Sequence, residues 1–320
     1  MIRLAFFDPV LERIQEVEAR MLRQSDNHHA ELIAALRHLI GSGGKRIRVA
    51  LTLLTGGMLQ ADPDRLVTLA AAIEMLHTAT LVHDDLIDGS LMRRGRPTLN
   101  SRWSPAATVL TGDFIFARAA KLASDVESIA INQLFAETLG TIVNGEISQL
   151  FDKRVMINFA EYQKRIFAKT ASLFETATKS AGLLSSLDEN SIEQARQFGY
   201  GLGMAFQVVD DILDFTGDPS QVGKPVASDL RQGVITLPAI IYHQNHPEDA
   251  LLPGIIIDDT GEDAILRLVD KIRNSGAIEL AFEEAQKYIE LSLKALASFR
   301  DCQEKESLHD LALYILSRSK

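Results

Sequence analysis

Apolar residues recur at intervals of three and four positions along most of the chain, and this spacing predicts helices rather than strands. Strict two-residue alternation is nearly absent, and Ile255-Ile256-Ile257 is the best strand-like run. The helical pattern covers residues 10–24, 28–40, 45–60, 63–88, 104–123, 127–152, 158–180, 189–216, 234–244, 261–274, 276–299 and 304–318. Asp62 is a candidate cap for the segment that Pro63 opens. No linker rich in Ser, Gly or Pro interrupts the pattern. The sequence therefore predicts an all-α protein of about a dozen helices, with residues 1–320 in a single domain.

Composition narrows the classes of function. The 320 residues include 33 Lys and Arg against 43 Asp and Glu, a formal net charge of −10. An acidic chain does not favour a nucleic-acid partner, because binding to a phosphate backbone needs a basic surface. Cys302 is the only cysteine, which excludes an internal disulfide and suits a cytoplasmic location. No run of 18 apolar residues occurs, so no transmembrane segment is expected.

Two aspartate triplets share the pattern Asp-Asp-x-x-Asp, and each lies at the C-terminal end of a long predicted helix. The triplets are Asp84, Asp85 and Asp88 in LVHDDLIDGS, and Asp210, Asp211 and Asp214 in QVVDDILDFTGD. The first and third aspartates of each triplet share a helix face, where like charges repel. The helix dipole is negative at the same end. This unfavourable arrangement occurs twice, so a cation is expected to offset it.

Carboxylate oxygens are suitable ligands for a hard cation such as Mg²⁺. This ion usually takes one or two protein carboxylates and completes its shell with water and phosphate oxygens. A phosphorylated substrate is therefore the natural third component. The alternative interpretation is that each triplet is a solvated helix end, and the repetition of the triplet beside basic segments argues against it.

Basic and polar residues accompany the triplets. The segment Gly43-Gly44-Lys45-Arg46-Ile47-Arg48 opens a helix whose free N–H groups suit an anion, although Leu39 and Arg46 exclude a Walker A loop. The other candidates are His77, Arg93-Arg94-Gly95-Arg96, Lys169-Thr170, Gln207 and Lys224. Taken singly, each has an ordinary alternative. His77 suits a helical core, the arginines pair with the preceding aspartates, and Lys169 extends to the surface.

Taken together, these residues resemble the trans-isoprenyl diphosphate synthase family, of the long-chain type, from about Gly43 to Pro238. The family implies an isoprenoid-synthase-like bundle of helices around a central cavity, usually in a homodimer. Its reaction is the head-to-tail condensation of isopentenyl diphosphate with an allylic diphosphate through an allylic carbocation. The proton that is then lost passes to the released diphosphate.

The resemblance also implies roles for individual residues. Three Mg²⁺ ions are implied at the aspartates, namely Asp84, Asp85, Asp88, Asp210, Asp211 and Asp214. The catalytic set comprises Asp84, Asp85, Asp88, Arg93, Lys169 and Asp210. Isopentenyl diphosphate contacts are implied for Gly44, Lys45, Arg48, His77 and Arg94. Allylic diphosphate contacts are implied for Arg93, Lys169, Thr170, Gln207 and Lys224. One position departs from the family, because Val234 follows Gly233 where many relatives have a lysine.

Product length is predicted from the helix before the first triplet. In the family, bulky aromatic residues four and five positions before the first aspartate stop short products, whereas this chain has the small residues Thr80 and Ala79. Leu76 and Met75 lie one turn lower and are expected to form the tunnel floor with Phe135 or Leu139 of the facing helix. At about 5.4 Å per turn, this depth favours an all-trans product of about six to ten isoprene units.

Four alternatives remain open at this point. A farnesyl or geranylgeranyl diphosphate synthase would need a bulky floor just below residues 79 and 80. A class I terpene cyclase usually carries an Asn/Ser/Glu-type second metal motif, which differs from Asp210-Asp211-x-x-Asp214. A non-catalytic subunit of a heteromeric synthase generally loses aspartates, and all six are present here. A helical scaffold would show no turnover.

Overall fold

The computed structural model describes residues 5–41, 44–93, 95–217, 225–257 and 261–318, and most of them are helical. The α-helices are α1 (Leu11–Leu22), α2 (Ala30–Gly41), α3 (Ile47–Met58), α4 (Pro63–Ile87), α5 (Pro105–Asp125), α6 (Ile129–Phe151), α7 (Phe159–Ile166), α8 (Ser172–Leu183), α9 (Glu189–Thr216), α10 (Ser228–Arg231), α11 (Leu237–Asn245), α12 (Leu251–Ile257), α13 (Glu262–Arg273), α14 (Ala277–Leu296) and α15 (Gln303–Ser317). Short 3₁₀ turns cover Ala5–Val10, Arg23–Ser25 and Leu99–Ser101. The all-α prediction is confirmed.

Several helices begin where local side chains cap their free N–H groups. Asp62 precedes α4, and its carboxylate accepts a hydrogen bond from the Arg65 backbone N–H at 2.9 Å. Ser104 caps α5 in the same way, again before a proline. Asn158 and Glu161 form a reciprocal capping box at the start of α7. These starts follow from the sequence because the cap and the first turn are local neighbours.

The structure differs from the sequence prediction in three places. The helix predicted over 158–180 is interrupted by a π-helical turn at Phe167–Ala171, between α7 and α8. The strand-like run at 255–257 lies in α12, because Leu252 and Ile255 are three residues apart and are buried together. A two-stranded antiparallel hairpin, β1 (Met92–Arg93) and β2 (Arg96–Pro97), was not predicted. Gly95 turns this hairpin with a φ of 71°.

The chain divides into two compact units. Unit 1 comprises residues 1–139, 173–196 and 296–310, and unit 2 comprises residues 140–172, 197–295 and 311–320. The first aspartate triplet belongs to unit 1 and the second to unit 2. The assignment of residues 1–320 to one synthase domain stays a prediction.

Unit 1 is organised around α4. This helix packs mainly against α5, and also against α1 and α3. Its side chains are buried on nearly every face, from Leu66 to Val82. A helix that is apolar all round belongs in a core. The triplet at its C-terminal end is therefore attached to a well-buried element.

In unit 2, α9 and α14 approach closely at a glycine. A Cβ atom added to Gly201 would lie 2.6 Å from the Tyr288 carbonyl oxygen. Nearby, the Ser292 hydroxyl donates a hydrogen bond to the Phe198 carbonyl oxygen at 2.5 Å. The ring of Tyr200 contacts the ring of Tyr288 edge to face. The second triplet thus also lies on a helix that is fixed by close packing.

One helix among the described residues, α4, is long and apolar enough to cross a membrane by length and composition. Of its most apolar 18-residue window, 78% is buried inside the protein. A core helix has the same properties, so the expected absence of a transmembrane segment stays a prediction.

We predict that Gly201→Ala destabilises the protein by about 1–3 kcal/mol, because the added methyl group meets backbone rather than a flexible side chain. The midpoint of thermal unfolding should fall. Gly254→Ala in α12 is the matched control, because nothing lies within 4 Å of the added Cβ there. An unchanged midpoint for Gly201→Ala would contradict the close approach of α9 and α14.

Candidate active site

The first triplet lies at the C-terminal end of α4. Asp84 and Asp85 lie in the last turn, and Asp88 is the C-terminal cap, its N–H donating to the Asp84 carbonyl oxygen at 2.8 Å. Asp84 is half-buried and Asp88 is exposed, whereas Asp85 is buried. The Arg93 Nε–H donates to the Asp85 carboxylate at 2.8 Å. The middle aspartate therefore already has a protein cation, and the outer two face outward on the shared side of the helix.

The hairpin that carries Arg93 is fixed to unit 1 at several points. The Ser90 N–H donates to the Asp85 carbonyl oxygen at 2.8 Å, and the Arg96 guanidinium donates to the Gly41 carbonyl oxygen at 2.9 Å. His38 Nε2 lies 2.9 Å from the Pro97 carbonyl oxygen. The basic hairpin is thus held between the ends of α2 and α4. Arg94 lies outside the described residues.

The isopentenyl diphosphate set is partly assembled in unit 1. The Arg48 guanidinium donates to His77 Nε2 at 3.2 Å, and it stacks over the Phe174 ring at 4.8 Å. Lys45 is exposed and Gly44 is half-buried before α3. Gly43 lies outside the described residues. The structure therefore brings Arg48 and His77 together, although His77 alone was an ordinary core candidate in the sequence.

The basic motif at 43–48 includes Arg46, but the sequence pattern assigns this residue no role of its own. Arg46 precedes α3 with a left-handed φ of 49°, and its guanidinium is buried. It donates to Glu18 at 2.8 Å, to Glu74 at 2.9 Å and to the Ile40 carbonyl oxygen at 2.6 Å. Burial opposes its charge, but Glu74 and Glu18 outweigh burial and raise the pKa of Arg46. No local pattern marks Arg46, because its carboxylate partners lie 28 residues away on either side.

The second triplet, on α9, has three different environments. Asp210 has 37% of its side chain exposed and pairs with Arg318 at 2.8 Å. The Asp214 carboxylate accepts hydrogen bonds from the Ser228 and Asp229 backbone N–H groups at 3.0 and 3.1 Å, at the start of α10. Asp214 therefore acts as a helix cap within unit 2. Arg318 lies past the last apolar position of the chain, so no sequence pattern indicated this contact.

Asp211 is 2% exposed. Its two carboxylate oxygens accept hydrogen bonds from the Tyr162 hydroxyl at 2.7 Å and from the Gln207 side-chain amide at 2.8 Å. Burial and the charge of Asp229 raise the pKa of Asp211 to about 7, against the effect of these two hydrogen bonds. Tyr162 was not a sequence candidate, since on α7 it has the spacing of an ordinary core residue.

The π-helical turn carries both Lys169 and Thr170. The Thr170 hydroxyl donates to the Gln207 side-chain oxygen at 2.6 Å, and the Lys169 ammonium lies 3.5 Å from the Gln149 side-chain oxygen. A π-helical turn inside an α-helix is rare and often occurs at a functional site, because it re-aims side chains. Gln207 and Thr170 are therefore brought together as the sequence predicted, but by a geometry that the sequence did not predict. Lys224 lies outside the described residues.

The position that departs from the family is also placed in unit 2. Val234 is buried, and its N–H donates to the Asp229 carbonyl oxygen at 2.9 Å. Gly233 before it has a φ of 78°, and its carbonyl oxygen accepts from the Arg154 N–H at 2.9 Å. Val234 thus contributes an apolar contact where many relatives have a lysine.

The predicted chain-length residues lie in unit 1. The side chains of Met75, Leu76 and Ala79 are fully buried on α4, and Thr80 is half-buried. Phe135 on α6 is buried and Leu139 is half-buried. The sequence predicts Ala79 and Thr80 in the upper part of a product tunnel and the other four residues at its floor. Both assignments stay predictions.

The donor set fits a hard divalent cation. The outer aspartates offer only oxygen atoms, and they lie where the helix dipole is also negative. Within the part of the chain that the structure describes, no three His, Cys, Asp or Glu side chains converge to chelate a metal ion by themselves. A bound ion would therefore need oxygen ligands from water and substrate, which is the usual state of Mg²⁺.

Comparisons with known proteins agree with this chemistry. The family model described as polyprenyl synthetase matches residues 29–272. The chain is 34% identical to heptaprenyl diphosphate synthase component 2 of Geobacillus stearothermophilus, over 98% of each chain. It is also 34% identical to octaprenyl diphosphate synthase of Escherichia coli (strain K12), over 97% of this chain and 99% of the relative. A crystal structure of polyprenyl synthase from Caulobacter crescentus CB15, complexed with calcium and isoprenyl diphosphate, is similar with a TM-score of 0.92 and 33% identity. That similarity covers 98% of this chain and 97% of the other.

We predict that Arg46→Leu destabilises the protein by about 3–5 kcal/mol, because the buried Glu74 carboxylate loses its partner. Chemical denaturation followed by circular dichroism measures the change. The control is Asp64→Asn, which removes an ion pair with Arg20 in which 81% of the Asp64 side chain is exposed. Loss of the exposed ion pair should hardly change the free energy of unfolding. Equal effects of the two substitutions would contradict the structural role of Arg46.

Proposed function

The chain belongs to the polyprenyl synthetase family, and we propose that it joins isopentenyl diphosphate head to tail to an allylic diphosphate. The product is a long-chain, all-trans polyprenyl diphosphate, of the class made by the heptaprenyl and octaprenyl relatives. The observation that carries the proposal is the repeated aspartate triplet, each at the C-terminal end of a long packed helix with two outer carboxylates sharing a face. A purely structural helical protein would gain no stability from this repeated negative charge, because the like charges repel each other.

A divalent ion is expected at the outer carboxylates, and we propose Mg²⁺, with three ions in the full site. In unit 1, Asp84 and Asp88 would hold an ion, since the Asp85 carboxylate is buried against Arg93. In unit 2, Asp210, which also contacts Arg318, would hold an ion, since Asp211 is buried and Asp214 caps α10. When bound, Mg²⁺ supplies positive charge that stabilises the leaving diphosphate.

The residues of the chain then have separable roles. In unit 1, Lys45, Arg48 and His77 bind the diphosphate of isopentenyl diphosphate, whose double bond acts as the nucleophile. Arg93 and Lys169 neutralise charge on the allylic diphosphate as its carbon–oxygen bond breaks. The new carbon–carbon bond forms at the allylic carbon, and the released diphosphate accepts the proton that is lost. No protein nucleophile is required.

The apolar helix faces beside the triplets complete this chemistry. An allylic carbocation reacts with water, so the reaction needs a site from which water is excluded. The buried side chains of Met75, Leu76 and Ala79 on α4 provide such an environment beside the first triplet. The same surface suits a growing hydrocarbon chain.

The direct test is incorporation of radiolabelled isopentenyl diphosphate with farnesyl diphosphate and Mg²⁺, with products sized after phosphatase treatment. We expect EDTA to abolish incorporation and added Mg²⁺ to restore it. Asp84→Asn should lower kcat by about 100-fold or more, since several kcal/mol of charge stabilisation are lost. Asp125→Asn is the matched control, because Asp125 also ends a long helix but lies outside any triplet. No incorporation by the wild-type chain would contradict the proposed function.

Product length gives a second prediction. Ala79→Phe should shorten the product by filling the space above Leu76 and Met75, as judged by chromatography of the dephosphorylated alcohols. Because Ala79 is fully buried, a phenylalanine there also lowers the stability of the protein by overpacking the core, apart from any effect on product length. Thr80→Phe, at a half-buried position, provides the second variant. The measured quantity is the distribution of lengths rather than total turnover, and an unchanged distribution in both variants would refute the tunnel assignment.

We propose a homodimer, supported by an exposed apolar stripe on α6. Val143, Ile147, Leu150 and Phe151 recur at three- and four-residue spacing, and Phe151 is 85% exposed. Contiguous apolar surface of this kind is typical of protein interfaces. The relative named component 2 suggests the alternative, which is a different second chain.

Ile147→Glu should convert a dimer to a monomer in light scattering, because a charge would be desolvated at the interface. Leu280→Glu, on an exposed position of α14, is the control. A monomeric wild-type chain that becomes active only with a second, different chain would favour the heteromeric alternative.

A further inference from the structure

We propose that Asp211 is a positioning residue for the Lys169-Thr170 turn, and not a ligand of a metal ion. The inference rests on the proposed function and deepens it, because it assigns different roles to neighbouring aspartates of the second triplet. It rests on contacts within unit 2 that join α7, the π-helical turn and α9. It also separates Asp211 from Asp210, its immediate neighbour in the sequence.

The first argument is that both oxygens of the Asp211 carboxylate are already hydrogen-bonded to protein donors in a buried position. Oδ2 accepts from the Tyr162 hydroxyl and Oδ1 accepts from the Gln207 amide, in a position that is 2% exposed. The Arg165 guanidinium already attracts this carboxylate from α7. A metal ion would have to displace two donors and enter the interior. Asp210 instead has 37% of its side chain exposed.

The second argument concerns the direction of the hydrogen bonds. The Gln207 side-chain nitrogen donates to Asp211 Oδ1, so this nitrogen faces Asp211. The Gln207 oxygen must then point the other way, and it accepts from the Thr170 hydroxyl at 2.6 Å. Asp211 thereby fixes the orientation of Gln207, and Gln207 fixes the hydroxyl of Thr170. Each hydrogen bond in the series Tyr162–Asp211–Gln207–Thr170 therefore joins one donor to one acceptor.

The third argument concerns the other contacts of the π-helical turn, which include the Lys169–Gln149 contact as well as packing. The Phe167 ring contacts the Tyr200 ring at 5.9 Å. Ala168 lies so close to α6 that a Cβ added to Gly145 would be 2.6 Å from the Ala168 Cβ. The Thr170–Gln207 hydrogen bond is therefore the polar link that holds the turn against α9, beside the Phe167–Tyr200 ring contact. Because Lys169 is adjacent to Thr170, the same link determines where the Lys169 ammonium is presented.

Helix geometry explains why neighbouring aspartates differ. Successive residues on an α-helix point about 100° apart, so Asp210 and Asp211 cannot share a face. The first triplet shows the same division, since Asp85 is buried against Arg93 while Asp84 and Asp88 lie on the outer side. The middle aspartate is thus the inward one in both triplets.

The test compares Asp211→Asn, Tyr162→Phe and Asp210→Asn, with Tyr242→Phe as the matched control. Tyr242 makes the same kind of bond, to Asp249 at 2.5 Å, and Asp249 belongs to neither triplet. Binding of Mn²⁺ in the presence of inorganic diphosphate is measured by electron paramagnetic resonance, without turnover. We expect Asp210→Asn to lose Mn²⁺ affinity, and the other variants to keep it. A loss for Asp211→Asn equal to that for Asp210→Asn would overturn the proposal.

A second readout addresses positioning. Tyr162→Phe should weaken calorimetric binding of farnesyl diphosphate by about tenfold, the effect of one lost hydrogen bond to a charged group, and leave the KM for isopentenyl diphosphate unchanged. Combining Tyr162→Phe with Thr170→Val should give a non-additive effect, because both substitutions break one chain. Fully additive effects, or an equal loss in Tyr242→Phe, would overturn the proposal.

These readouts remain informative if the proposed reaction is wrong. A wild-type chain that does not incorporate isopentenyl diphosphate refutes the function, while the Mn²⁺ comparison still decides whether Asp211 is a ligand. Thermal unfolding of each variant identifies any that fail to fold. Tyr162→Phe keeps the ring that fills the core, so it provides a conservative second variant if Asp211→Asn does not fold.

Discussion

Negative charge at the C-terminal ends of two buried helices is the constraint on which the rest of the structure depends. The helix dipole and the carboxylates have the same sign there, so each triplet is unfavourable by itself. The protein offsets part of this charge with its own donors. Arg93 reaches Asp85, Arg318 reaches Asp210, and backbone N–H groups reach Asp214. In the first triplet, Asp84 and Asp88 lie on the outer side of the helix, which suits a divalent cation.

The positions of these carboxylates depend on rigid supports. In unit 1, α4 is buried on nearly all sides, and Arg46 anchors the start of α3 through Glu18 and Glu74. In unit 2, α9 is fixed by its close approach to α14 at Gly201. A site that works by electrostatic stabilisation needs such supports, because its groups must be oriented before charge develops. The packing of each unit therefore serves the chemistry as well as the stability.

The π-helical turn shows how local backbone geometry contributes to function. It interrupts a segment that would otherwise be one continuous helix, and it places Lys169 and Thr170 beside Gln207 and Gln149. Such a turn is less favourable than regular α-helix. The turn carries Lys169 and Thr170, two of the residues predicted to bind substrate.

The sequence by itself determined the all-α class, most helix starts and the shared face of the outer aspartates, because helical periodicity and caps act between near neighbours. It also identified Arg48, His77, Thr170 and Gln207 as candidates. Only the tertiary structure decided which carboxylates are buried against protein donors and which are exposed. Tyr162 lies 49 residues from Asp211, and Arg318 lies 108 residues from Asp210, so no local pattern records these contacts. The inward or outward direction of a carboxylate is decided by distant partners, and those meet only when the chain has folded.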